Sequence, residues 1–239
     1  MKEATIESLR KRFHGETPEK ILTVALEAFH PAVAIAASFS KEDIALAAMA
    51  AEIRSDARIF ALDTGRLNEE TYEVADTIRR RLGVRIEWHF PDREAVEALE
   101  RGKGLYSFRQ SLGNRHECCG IRKVEPLSRA LSGLKAWVTG QRREHGVTRS
   151  NLAIVEIDGA HGGILKLNPL AEWTTEQVDR FLRERGLPYN RLHDAGYPSI
   201  GCAPCTRAVR PGEDPRAGRW WWERPEHKEC GLHRRTGKE

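Results

Sequence analysis

The feature that most narrows the fold is an alternation of short apolar runs with helical stretches, starting near residue 30. AVAIAA (32–37) ends in the polar turn SFSKED, and the helical stretch IALAAMAAEIR follows. RIFALD (58–63) ends in TGR, after which Asn68 offers an N-cap for a helix to about Leu82, with Gly83 placed to stop it. VRIEWHF (84–90) and KAWVTG (135–140) repeat the pattern. Strands separated by helices of this length need crossover connections, so the expectation is an α/β chain with a doubly wound parallel sheet. Ligands of such sheets bind beyond the carboxyl ends of the strands, and SFSKED, LDTGR and TGQRRE all fall at that edge.

Past residue 150 the pattern is less regular. LAIVEID and ILKLNPL read as an added hairpin, and Thr174 with Gln177 forms a capping box for TEQVDRFLRERG. After Pro188 the chain is rich in Gly, Pro, Trp and Arg, which predicts an irregular tail rather than a second core. The N-terminal MKEATIESLRKRF reads as a charged amphipathic helix without the apolar segment of a signal peptide. No apolar run approaches the ~18 residues of a membrane span, so we expect a cytoplasmic protein with no membrane partner.

The net charge of +4 does not imply a nucleic-acid footprint, and none is expected. The distribution of charge is more telling. Basic residues gather in RQSLGNRHECCGIRK (109–123), GQRREHGVTR (140–149) and TRAVRPGEDPRAGR (206–219), which would form a pocket for a small anion if they converge. Solvated surface runs are the plainer reading of such charge.

There are five cysteines: the adjacent Cys118 and Cys119, the C-x-x-C pair Cys202 and Cys205, and a lone Cys230. An odd count in a reducing compartment points to metal or nucleophile chemistry rather than a disulfide framework. Structural zinc sites space their paired ligands by two to four residues, so contiguous cysteines suit a zinc knuckle poorly. Four thiolates are what a [4Fe-4S] cluster requires, and its separate iron corners tolerate neighbouring ligands better. A zinc site and plain structural cysteines remain the alternatives at this point. Cys230, in the polar KECGLHRR, does not look like a buried core thiol. Nearby cations raise the thiolate fraction of a cysteine, so Cys230 reads as an accessible nucleophile.

The set SFSKED, LDTGRLNEETY, CCGIRKVEPL, TGQRREHGVTR, NPLAEW, GYPSIGCAPCTR, GEDPRAGRWWWE and KECGLH resembles the assimilatory sulfonucleotide reductases, from about residue 30 to 234. The tandem cysteines plus C-x-x-C resemble the adenylyl-sulfate (APS) type within that family. The resemblance implies a fold of the adenine-nucleotide α-hydrolase type, with a nucleotide-binding α/β domain over 1–200 and an active-site tail over 201–239. SFSKED departs from that fold's S-G-G-x-D-S pyrophosphate loop: Ser40 replaces the second glycine, and Glu42-Asp43 the Asp-Ser pair. It implies a [4Fe-4S] cluster on Cys118, Cys119, Cys202 and Cys205, with Cys230 as nucleophile. Ser38, Leu62, Thr64, Gly140 and Arg149 would contact the nucleotide. Lys123 would lie between cluster and substrate, and Arg216, Arg219 and His233 around the phosphosulfate.

If four cysteines hold iron, the chain has one thiol left, and completing a two-electron reduction needs an external dithiol such as thioredoxin or glutaredoxin. A phosphoadenylyl-sulfate (PAPS) or dual-specificity reductase is the nearest alternative. An iron–sulfur tRNA-thiolating enzyme is more distant, because it would want an intact pyrophosphate loop. Assembly into a homo-oligomer is left open by the sequence.

Overall fold

The structure, a computed structural model, describes residues 3–145 and 150–224. Arg149, Cys230 and His233 therefore lie outside the described residues. Helix α1 (Glu3–Phe13) is the expected amphipathic N-terminal helix, and α2 (Pro18–Phe29) precedes the first strand. The strands are β1 (Val33–Ala36), β2 (Arg58–Leu62), β3 (Ile86–His89), β4 (Ala136–Val138), β5 (Val155–Asp158) and β6 (Ile164–Leu167). They form one six-stranded sheet in the order β3-β2-β1-β4-β6-β5. All neighbours pair parallel except β5, which runs antiparallel to β6 as the hairpin pattern predicts. Gly162 and Gly163, at φ 76° and 72°, supply the left-handed backbone that turns the hairpin.

Strand alternation explains why both faces must be covered. Val33 and Ile35, Ile59 and Ala61, and Ala136 and Val138 point into one core with α2, α3 (Lys41–Ile53), α4 (Glu69–Leu82) and α8 (Thr175–Glu184). Ala34, Phe60 and Trp137 point the other way, onto Leu127, Ala130 and Leu131 of α7 (Glu125–Leu131). Each fully buried aliphatic side chain contributes about 1.5–3 kcal/mol, and a strand buried on both sides reads as a continuous apolar run. That is the run seen in the sequence.

The helix boundaries follow local chemistry. Thr174 and Gln177 make both hydrogen bonds of the expected capping box. Gly83 ends α4 at φ 65°. Asn68 stands at the N-cap of α4 but makes no side-chain cap. Its amide instead donates to the Gly201 carbonyl at 3.1 Å, tying the loop after β2 to the irregular segment near the cysteines. Among the described residues, no helix is long and apolar enough to cross a membrane.

Candidate active site

The carboxyl ends of β1, β2 and β4 are neighbours in the sheet, so Ser38, the Leu62–Gly65 turn and Gly140 share one edge. After β1 the chain turns through Phe39, whose φ of 61° is unusual for a bulky residue. Its ring is buried 5.6 Å from Trp88, and that packing holds the turn. Ser40 then caps α3 by accepting from the Asp43 amide at 3.2 Å. Asp43 reaches back to accept from both the amide (2.6 Å) and the hydroxyl (2.7 Å) of Ser38. Burial pushes the Asp43 carboxyl up, and the two Ser38 donors oppose that rise.

Gly140 closes this corner. A Cβ there would stand 2.4 Å from Asp43 Oδ1 and 2.8 Å from Glu42 Cβ, so β4 can approach α3 only with glycine. Next to it, Glu42 and Arg142 form a buried ion pair at 2.8 Å. In the turn after β2, Asp63 accepts from Gly65 N (2.7 Å) and from the Tyr72 hydroxyl (2.9 Å). Burial, with the adjacent carboxylate, pushes that phenol up to about 12.

A second centre lies beside this edge. Beyond α5 (Arg93–Lys103), which carries Glu100, helix α6 (Leu112–Cys119), capped by Ser111, ends on Cys118 and Cys119 and passes through a π-helical turn, Gly120–Val124, into α7. Cys202 and Cys205 sit on a tight turn closed by Cys205 N donating to Cys202 O at 2.9 Å. Two backbone bonds place that turn: Ala203 N donates to Arg66 O (2.8 Å), and Trp220 N donates to Cys205 O (3.0 Å). All four cysteines line one cavity, and no disulfide joins them. Burial pushes the Cys118 thiol up and the Cys205 thiol to about 12. The Cys202 thiol donates to the Thr64 hydroxyl at 3.3 Å, which links the cavity to the end of β2.

The same cavity is lined by Arg66, Arg115, Arg122 and Lys123. Glu100 pairs with Arg66 and, at 2.8 Å, with Arg122; Glu223 pairs with the fully buried Arg115 at 2.8 Å. Among the described residues, the cations Arg66, Arg115 and Arg122 meet the carboxylates Glu100 and Glu223. Buried charge of one sign is costly without a counter-charge. Among the described residues, no group of three or more His, Cys, Asp or Glu side chains is arranged to hold a metal ion.

Of the residues expected at the site, Ser38, Leu62, Thr64 and Gly140 lie along the sheet edge, and Lys123 lines the cysteine cavity. Arg219 is buried near Cys205 but spends Nη1 on Ser199 Oγ (3.2 Å) and Ile200 O (3.3 Å). Gly201 lies so close to that guanidinium that a Cβ would meet it at 2.3 Å. Arg216 is half-buried on the 207–219 loop and is not among the cavity-lining residues. Sequence reasoning did not single out Arg66, Arg115, Arg122 or Glu100. Arg115 and Arg122 stood in the basic stretch around the first cysteine pair, and that stretch does converge on the cavity.

The sheet order and polar edge define the adenine-nucleotide α-hydrolase-like fold. A phosphoadenylyl-sulfate reductase from Candida auris superposes with a TM-score of 0.75 at 25% identity, covering 87% of this chain and 98% of that one. An FMN adenylyltransferase from Candida glabrata shares the fold at a TM-score of 0.57 and 14% identity, covering 99% of this chain and 80% of its own. The family model of the phosphoadenosine phosphosulfate reductase domain matches residues 32–208, and the chain belongs to that family. This match includes both cysteine pairs and stops short of Cys230. The chain is 51% identical to an adenosine 5'-phosphosulfate reductase of Allochromatium vinosum (85% of this chain, 79% of that protein). It is 47% identical to one of Pseudomonas aeruginosa (95% and 85%) and 49% identical to 5'-adenylylsulfate reductase 3 of Arabidopsis thaliana (98% and 52%). It spans about half the length of the plant relatives it matches.

Proposed function

We propose that the chain is an adenylyl-sulfate reductase of assimilatory sulfate reduction that yields AMP and sulfite. The observation that carries this reading is the cavity itself. Two cysteine pairs far apart in sequence share it with four cations, and Thr64 joins it to the strand ends where a nucleotide would bind. The names of the bacterial relatives favour APS as substrate.

The donor set fits a [4Fe-4S] cluster. Successive helical residues diverge by about 100°, so Cys118 and Cys119 suit separate iron corners better than one ion. An oxidised cluster with four thiolates carries about two net negative charges, and the cavity is lined by four cationic side chains, Arg66, Arg115, Arg122 and Lys123. When bound, the cluster supplies a fixed field and a brace between the two cysteine segments.

The chain's own residues carry the reaction. The Cys230 thiolate attacks the sulfur of the phosphosulfate; an S–S bond forms, the S–O bond to phosphate breaks, and AMP leaves with the bridging oxygen. Lys123, with Arg216, Arg219 and His233, offsets the repulsion between two anions. A thiol of thioredoxin or glutaredoxin then attacks Cys230 Sγ, sulfite departs with the bonding electron pair, and the dithiol ends as a disulfide.

Incubation with APS and no reductant tests this scheme. About one AMP per chain is expected, with one sulfonate on Cys230 by mass spectrometry, because one thiol opens one phosphosulfate. Thioredoxin should then discharge sulfite. An adduct on another residue, or sulfite made by Cys230→Ser, would overturn the mechanism. The structural likeness to a PAPS reductase gives a second reading, and steady-state kinetics with APS and PAPS side by side decide between them.

A further inference from the structure

Arg122 sits in the π-helical turn, four residues after Cys118, and is 6% exposed. Two of its three nitrogens are fixed by the protein. Nη1 donates to the Thr64 carbonyl at 2.7 Å, and Nη2 donates to Glu100 Oε1 at 2.8 Å. A guanidinium is a rigid planar fork, so pinning both ends also fixes the direction of the third donor. That donor, Nε–H, is buried and has no hydrogen-bond partner among the described residues. Glu100 Oε2, a buried oxygen on the neighbouring carboxylate, does not take it and is itself unpartnered. Leaving a buried donor of a charged group without an acceptor is costly, so such donors are seldom left idle.

The side chain lines the cavity with Cys118, Cys119, Cys202 and Cys205, where the acceptors are sulfur. A neutral thiol is a weak acceptor, whereas a thiolate or sulfide is a good one for a cationic N–H. Lys123 bears a compact, rotatable ammonium and acts as a point charge. Arg122 differs because it holds Thr64 with one nitrogen and aims another by geometry.

We infer that Arg122 is a positioning residue whose Nε–H donates a hydrogen bond to a sulfur of the [4Fe-4S] cluster while Nη1 holds the Thr64 carbonyl at the end of β2. The inference rests on the cluster reading above. Thr64 also receives the Cys202 thiol, so one strut would join both cysteine pairs to the nucleotide edge. Hydrogen bonds to cluster sulfur stabilise added negative charge and raise the reduction potential. Losing this one should therefore shift the potential downward and alter the iron–sulfur vibrations.

The experiment compares wild type with Arg122→Lys and Arg122→Gln by iron analysis, by resonance Raman in H2O and D2O, and by cryoreduction followed by pulsed EPR on 15N-arginine-labelled protein. In the wild type the Fe–S bands should shift on deuteration, and an arginine 15N coupling to the cluster should appear. Both signals should weaken in whichever variant keeps wild-type iron, with Arg122→Lys losing the coupling despite its retained charge. Unchanged Raman shifts and coupling in an iron-replete variant would leave Arg122 a strut between Thr64 and Glu100 and overturn the inference. The labelled wild type is decisive even if neither variant folds, because absence of any arginine coupling also overturns it. A wild-type protein carrying no iron would instead remove the cluster reading itself.

Discussion

The two halves of the site are held by different forces. The sheet edge is set by apolar packing: Ser38, Thr64 and Gly140 follow strands whose side chains are buried on both faces. Its carboxylates are satisfied locally, Asp43 by Ser38 and Asp63 by Gly65 and Tyr72. The cysteine cavity has a much smaller apolar cluster, Leu99, Phe108 and Cys118 with a few half-buried neighbours. Ion pairs joining distant segments organise it instead, as Arg115 does with Glu223 and Arg122 with Glu100. The first half is stable because water is excluded. The second needs its charges balanced, and it should respond far more to the loss of one partner.

The largest effect should come from the thiols. Cys118→Ser and Cys202→Ser should each lose iron and activity while far-UV circular dichroism stays native, because the main core includes neither residue. Iron analysis beside the spectra checks this; unchanged iron in all four single-cysteine variants would remove the cluster assignment, and lost helicity would mean the halves are not separable.

Arg115→Leu comes next. It leaves the Glu223 carboxylate buried without its guanidinium, a change that costs about 3–5 kcal/mol. Arg115→Leu/Glu223→Leu should recover much of that loss in urea unfolding. A double variant as unstable as the single one would mean that packing against Trp220, 4.6 Å from the guanidinium, matters more than charge.

Gly140→Ala tests the packed half. The added methyl meets Asp43, so about 1–3 kcal/mol of stability should be lost, with weaker AMP binding and normal iron content. Wild-type thermal stability would show that the corner relaxes without cost.

The contrast also explains what could be read from the sequence. Parallel strands were legible because AVAIAA, RIFALD and KAWVTG have apolar centres and end at polar turns, and the structure trims each by one to three residues. The β5–β6 hairpin and the Thr174 capping box were legible because their signals are local. Asn68 marked the N-cap position of α4, but its side chain bonds the distant Gly201 carbonyl rather than the helix amides, which no local signal announces. The meeting of the two cysteine pairs followed from ligand chemistry, since no periodicity brings residue 119 to residue 202. The Arg66–Glu100–Arg122 network left no such trace: its partners are 22 and 34 residues apart, and each reads alone as surface charge.

The bonds from Ala203 N to Arg66 O and from Asn68 to Gly201 O set an order of events during synthesis. Domains fold from the N-terminus as the chain emerges, so the sheet can form while the C-A-P-C turn is still unmade. A nascent chain that has reached only Cys119 carries one cysteine pair and lacks the segment that holds the other. The second pair is positioned by the loop after β2, so the finished sheet acts as the template on which the four thiols assemble. If the proposed cluster is present, its loading would follow folding, and a pause in translation before residue 202 would delay it without disturbing the fold beneath.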